Sequence, residues 1–238
     1  MLPKIPYQLS EVIIDTRKFS VRPMLSREEK ILLYAKESNE PGEIFRAIRQ
    51  VVNNCVQDAN FDVNTLAIFE LQYIFLKLRS ISISNQINIS IDDIDEKTYD
   101  FTINLDEIQI KYPEPTLTTA QISPDMWLNL KYPDASLYTN EKFLGASAEK
   151  DVIELLIKSC IQSITQTKNG TENITTPFEG TEEEKNTFID DLPIKTREEV
   201  LKFLNNLPTI YHKIEYENTK GDKKVIEMRT LNDFFTLG

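Results

Sequence analysis

Between residues 41 and 84 two stretches of helical periodicity stand close together, and a chain that carries them has to cover both apolar faces. Ile44, Phe45, Ile48, Val51, Val52 and Cys55 recur at spacings of three and four, which collects them on one side of a helix. Pro41 and Gly42 break whatever helix precedes it, and Glu43 puts a carboxylate in the first turn, where the helix dipole favours it. After a polar run from Asn53 to Asn64, Ile68, Leu71, Ile74, Phe75 and Leu78 give a second helix a wide apolar stripe. Lys77 and Arg79 fall in its last turn as cations, and Lys77 reads as a solvent-facing residue. Two such helices on a short connection pack as a pair, against which flanking β segments can bury their inner faces.

The flanks supply those segments. Residues 11–22 predict a β-hairpin, with Val12–Ile14 and Phe19–Val21 as β-formers around a polar reversal at Asp15–Lys18. Ser26 then fits the N-cap of a helix from Arg27 to Glu37, with Glu28 and Glu29 in its first turn and Ile31, Leu32 and Ala35 facing inward. Beyond the central pair, Ile81, Ile83, Ile87, Ile89 and Ile91 alternate with polar residues, as do Tyr99, Phe101, Ile103 and Leu105, so these two runs are expected to pair antiparallel. Pro113, Pro115, Pro124 and Pro133 mark an irregular connection in which MWLNLKYP, residues 126–133, reads as a short strand and Trp127 as a packing anchor. A helix is expected over 148–164, a turn at Asn169-Gly170, and further helices over 181–191, opening on Thr181 with Glu184 at capping-box spacing, and over 197–206 after Thr196. Ile214, Tyr216, Val225, Ile226 and Met228 belong to a closing hairpin, followed by a short helix or turn. The fold class is therefore α+β: an N-terminal β-hairpin with packed helices, and antiparallel hairpins in the middle and at the C-terminus. The expected division is 1–112 as an N-terminal α+β domain, 113–147 as a Pro-rich connection, and 148–238 as C-terminal helices and hairpin.

With 40% hydrophobic and 27% charged residues, the 238-residue chain can bury a full core and is not disordered as a whole. Its net charge of −11 is uneven, because the first 80 residues carry +1 and the rest −12. An acidic surface repels phosphate backbones, so generic nucleic-acid binding is disfavoured. No run approaches the roughly 18 to 20 apolar residues that cross a bilayer, and MLPKIPYQLSEV has no signal-peptide core, so the chain is expected to stay in the cytoplasm. Cys55 and Cys160 sit in separate helical patterns and read as buried small hydrophobes. The run Asp92, Asp93, Asp95, Glu96 lacks the Gly and closing Glu of an EF-hand loop and reads as a solvated turn. His212 is the only histidine and reads as a strand residue; no nucleophile elbow, P-loop or zinc-protease pattern accompanies it. A pair of carboxylates could still serve a glycosidase, which keeps a small hydrolase open as an alternative. No catalytic, cofactor-binding or metal-ligating residue is assigned.

The segments that carry Arg22, Pro23, Glu28, Glu29 and Lys30, then Asn53, Asn54 and Cys55, then Glu70, Tyr73, Phe75, Leu76, Lys77, Leu78 and Arg79 resemble, in order and spacing, the small baseplate-hub and hub-assembly proteins of T4-like bacteriophages. The resemblance covers residues 1 to about 112 and returns over 214–235. It implies a non-enzymatic phage tail protein that takes part in assembly of the baseplate hub or central spike complex through protein-protein contacts. It places the chain in the host cytoplasm during assembly, or in the tail baseplate. Its partners would be other hub, spike or tape-measure proteins, with no nucleic acid, membrane segment or small-molecule substrate. A transient assembly chaperone, absent from finished virions, stays open beside it. Members of this family carry paired cysteines suggestive of a zinc ribbon in such hairpins; this chain has none there, so no metal is expected. Docking would use apolar patches with aromatic anchors, and Phe234, Phe235 and Leu237 are the candidate partner-binding residues. The competing reading is that they fold back as a plug on the closing hairpin.

Overall fold

Strands β1 (Ser10–Ile14) and β2 (Arg17–Val21) pair antiparallel with Ile14 opposite Arg17, so the reversal is two residues long. Asp15 meets that demand at φ 53°, a left-handed conformation that Asp tolerates better than most side chains. The computed structural model describes residues 5–38, 40, 42–94, 96–145, 148–168 and 170–235. Helix α1 (Ser26–Ser38) follows, but its cap is Leu25 and not Ser26: the N–H groups of Glu28 and Glu29 donate to the Leu25 carbonyl at 2.9 and 3.2 Å. Helix α2 (Glu43–Cys55) enters through Gly42 at φ 81°, where only a glycine is unstrained. Pro41, expected to break the chain there, lies outside the described residues. The end of α2 is stitched to β2: Arg22 N–H donates to the Cys55 carbonyl at 2.9 Å, and Gln57 N–H to the Ser20 carbonyl at 2.8 Å.

Helix α3 (Ile68–Ser82) buries Leu71, Ile74, Phe75 and Leu78 of the expected stripe, leaves Ile68 half-buried, and adds Phe69 and Leu76 to the buried face. Two expectations fail here. The alternation from Ile81 to Ile91 begins inside the helix, because Ile83 N–H still donates to the Arg79 carbonyl at 3.0 Å and the strand opens only at Gln86. Lys77 is not a free surface residue. Its ammonium donates to the carbonyls of Leu105 and Asp106 at 3.0 Å each and lies 5.1 Å from the Tyr73 ring centre. Strands β3 (Gln86–Asp92) and β4 (Thr98–Asn104) then pair antiparallel as expected, and β5 (Gln109–Lys111) follows.

The chain divides into two compact units, Met1–Lys111 with Thr209–Gly238, and Tyr112–Pro208. The second is a four-stranded antiparallel sheet in the order β6-β7-β8-β9, from β6 (Thr119–Ser123), β7 (Met126–Leu130), β8 (Ile161–Lys168) and β9 (Glu172–Pro177). Between β7 and β8 lie α4 (Glu141–Leu144) and α5 (Glu149–Cys160). The expected helix over 148–164 therefore stops at Cys160, because IQSITQT switches from helical to two-residue periodicity with no loop between. Helix α6 (Glu182–Asp190) opens with the expected capping box: Thr181 Oγ1 accepts from Glu184 N–H at 3.2 Å, and Glu184 accepts from Thr181 N–H at 2.7 Å. Helix α7 (Ile194–Leu204) starts before Thr196, which is no cap but is buried with its hydroxyl donating to the Gln121 carbonyl at 2.5 Å. Leu128, Ile157, Cys160, Ile189, Val200 and Phe203 make the core of this unit.

After α7, β10 (Thr209–Glu217) returns to the first unit, where it pairs with β5 and with β11 (Lys223–Met228); α8 (Leu231–Phe235) follows. Residues from 209 on therefore fold with 1–111 and not with the stretch from 148, and among the described strands β10 is the one that pairs with β5. The β3–β4 reversal, expected as a solvated turn, is docked. Asp93 accepts from the Tyr216 hydroxyl at 2.9 Å, and its side chain is 6% exposed. The rings of Tyr99 and Tyr216 lie 4.9 Å apart beside it. Asp95 of that run lies outside the described residues.

Candidate docking surface

The first turn of α1 is held by a buried ion pair. Arg22 spans both oxygens of Glu28, donating at 2.8 Å to Oε1 and 3.2 Å to Oε2. Leu25 N–H and Arg27 Nε each add a bond at 2.9 Å. The Arg22 and Glu28 side chains are 3% and 0% exposed. Burial pushes the Glu28 carboxyl upward, but the Arg22, Leu25 and Arg27 donors outweigh it and hold the group at about 2. The same pairing raises Arg22. The capping reading of Glu28 thus captures one of its bonds, to Leu25, and misses the salt bridge that fixes the helix. Cys55, buried alongside, is pushed up to about 11 by burial, and Cys160 in the second unit to about 12, so both thiols stay protonated at neutral pH.

Above that node α1 is only partly covered. Glu28 is its only buried residue. Ile31, Leu32 and Ala35, expected to face inward, are only half-buried, and Leu33 and Tyr34 are 52% and 70% exposed. On α2, Ala47, Ile48, Val51, Val52 and Cys55 form the buried face, whereas Ile44, expected among them, is 48% exposed. Between the helices runs a groove of about 430 Å³ lined by Ile31, Tyr34, Ala35, Arg46, Ala47 and Gln50. An ion pair between Arg46 and Glu43 stands at its rim. Apolar side chains with an aromatic anchor and a polar rim are the composition of a protein-docking patch. A signal that α1 leaves apolar residues outside its stripe was present in the sequence as the adjacent Leu33 and Tyr34, of which Tyr34 lines the groove.

The C-terminal candidates are placed differently. Phe234 is 2% exposed and Leu231 7%, and the turn is closed by Asp233, whose carboxylate accepts from the N–H groups of Arg229 and Thr230 at 2.8 Å each. Burial of Phe234 fits the plug reading. The side chain of Phe235 and all of Leu237 lie outside the described residues. His212 stands on β10 opposite Met228, half-buried, with its pKa lowered by burial. Among the described residues no three His, Cys, Asp or Glu side chains gather as a metal site, and no helix is long and apolar enough to cross a membrane.

Fold and surface together define a small α+β protein of hairpins and helices that leaves one helical face partly exposed. The chain belongs to the family described as T4 bacteriophage base plate protein, which matches residues 4–236. Membership in that family implies structural proteins of the phage as its partners. No curated protein and no solved structure matches the chain.

Proposed function

We propose that this baseplate protein acts without catalysis, in assembly of the hub or central spike complex, by docking its α1–α2 face onto other hub, spike or tape-measure proteins. The observation that carries the reading is that α1 buries none of its apolar residues while its first turn is locked by a desolvated ion pair. A helix held that firmly at one end, with Leu33, Tyr34 and Ile44 left to solvent, is a presented surface. Phe234, by its burial, belongs to the stability of the closing hairpin in this reading.

The test is affinity pull-down after co-expression with candidate hub, spike and tape-measure proteins, using Leu33→Asp combined with Tyr34→Ser. Capture should fall at least tenfold while the melting temperature stays within about 2 °C, because exposed positions contribute little to stability. Undiminished capture would move the docking site elsewhere. Immunoblotting of purified tails separates a resident component from a transient chaperone, and peptidoglycan zymography is expected to show no clearing.

A further inference from the structure

The sheet of Tyr112–Pro208 treats its two edges differently. On β6 the backbone groups of Gln121 are taken: its N–H donates to Glu199 at 2.8 Å and its carbonyl accepts from Thr196 at 2.5 Å, so α7 closes that edge. On β9 all six residues are exposed and no described strand pairs with the outer edge. Its register against β8 runs from Ser163↔Pro177 to Lys168↔Glu172 with no bulge, and the usual protections of an edge stand only at its two ends, as Glu172 and Pro177, leaving Asn173–Thr176 unguarded. Phe178 N–H donates to the Gln162 carbonyl at 3.1 Å, so by the alternation of an antiparallel ladder the N–H groups of Asn173 and Thr175 point outward.

The same chain holds a segment that lies outside every sheet. Ile5–Leu9 is in no helix or strand, and Ile5, Tyr7 and Leu9, at every second position, are 85%, 48% and 51% exposed. At about 3.3 Å per residue it spans roughly 17 Å, against roughly 20 Å for β9. We infer that Ile5–Leu9 of one copy adds as a fifth strand to the β9 edge of a second copy. Two demands fix its direction. Pro6 has no N–H and must face away from β9, and the apolar side chains must share the face of Ile174. A parallel strand meets both, with Tyr7 beside Ile174, Tyr7 N–H donating to the Asn173 carbonyl and Thr175 N–H donating to the Tyr7 carbonyl. Pro6 then guards the new outer edge, so one strand adds and no more. The contact joins different patches on the two copies, which makes a head-to-tail assembly that closes as a ring or grows as a chain.

Analytical ultracentrifugation over a concentration range tests this with the full chain, a variant lacking residues 1–9, Tyr7→Pro, Thr175→Pro and Thr175→Ala. The wild type and Thr175→Ala should show species larger than the monomer, and the other three should be monomeric with circular-dichroism spectra unchanged. Mixing the truncated variant with Thr175→Pro should give a one-to-one complex and nothing larger, since one retains only the edge and the other only the arm. A wild type that stays monomeric throughout overturns the inference. Association that survives loss of residues 1–9 but not Thr175→Pro overturns it in favour of β9 pairing with β9, and a mixture that forms no complex overturns it as well. Tyr7→Pro lies outside every helix and strand, so it keeps the arm testable if Thr175→Pro fails to fold.

Discussion

Replacing Glu28 by alanine leaves the Arg22 guanidinium 3% exposed with its carboxylate gone and the Leu25 N–H without its acceptor. Removal of one partner of a desolvated pair costs about 3–5 kcal/mol, because the remaining charge is neither hydrated nor neutralised. That is a large part of the 5–15 kcal/mol that holds a typical domain together. The double replacement Arg22→Met with Glu28→Leu removes both charges at similar volume, and it should recover most of the loss. Urea denaturation followed by circular dichroism measures both. The pH dependence is an independent check. The folded carboxyl titrates at about 2 and an unperturbed glutamate at 4.5, so the unfolded chain binds more protons in this interval. The stabilisation is complete above pH 4.5 and disappears as pH falls toward 2, and this acid sensitivity should be absent from the double variant. A single variant that loses under about 1 kcal/mol, or a double variant as unstable as the single, would mean that the pair is not the desolvated lock described above.

Two further outcomes follow from the packing of the first unit. Phe75→Ala, at a position 6% exposed on α3, should cost about 3–5 kcal/mol in chemical denaturation. Lys77→Ala should cost about 1–2 kcal/mol in place of the near-zero expected of a surface lysine, because it strips hydrogen bonds from two carbonyls; Lys77→Arg should lose less. Deletion of residues 231–238 removes the buried Leu231 and Phe234, so differential scanning calorimetry should show a melting temperature lower by several degrees before any effect on partner capture is seen.

Elements whose periodicity is carried by many residues of one kind could be read from the chain. The stripe of α3, the β1–β2 and β3–β4 hairpins and the Thr181–Glu184 box all rest on local patterns that no tertiary contact overrides. What failed was set at a distance. The Cys160–Ile161 junction changes from helix to strand with no punctuating residue, so helical spacing ran on into β8. Lys77 and Glu28 are polar residues whose partners, Leu105 and Arg22, come from other elements, and composition cannot distinguish such a residue from a solvated one. The exposed face of α1 was hidden by the assumption that apolar residues on a helix point to the core of their own chain. An α1 left half-open, with Leu33 and Tyr34 in solvent, breaks that assumption.

Several of the residues that carry the family resemblance are joints between elements. Arg22 links β2 to α1 through Glu28 and to the end of α2 through the Cys55 carbonyl. Glu70 pairs with Arg17 and takes the Ala67 N–H, tying α3 to the first hairpin. Lys77 ties α3 to the turn at Leu105. Replacement at a joint leaves a buried charge or donor unsatisfied, so the frame resists change at these positions. Leu33, Tyr34 and Ile44 make no such bond and stand in solvent, where substitution is nearly free of cost to the fold. One frame can therefore present different side chains from α1 and α2 without being rebuilt. Substitution at the exposed positions should therefore leave the fold intact, whereas replacement of one member of the buried Arg22–Glu28 pair should not.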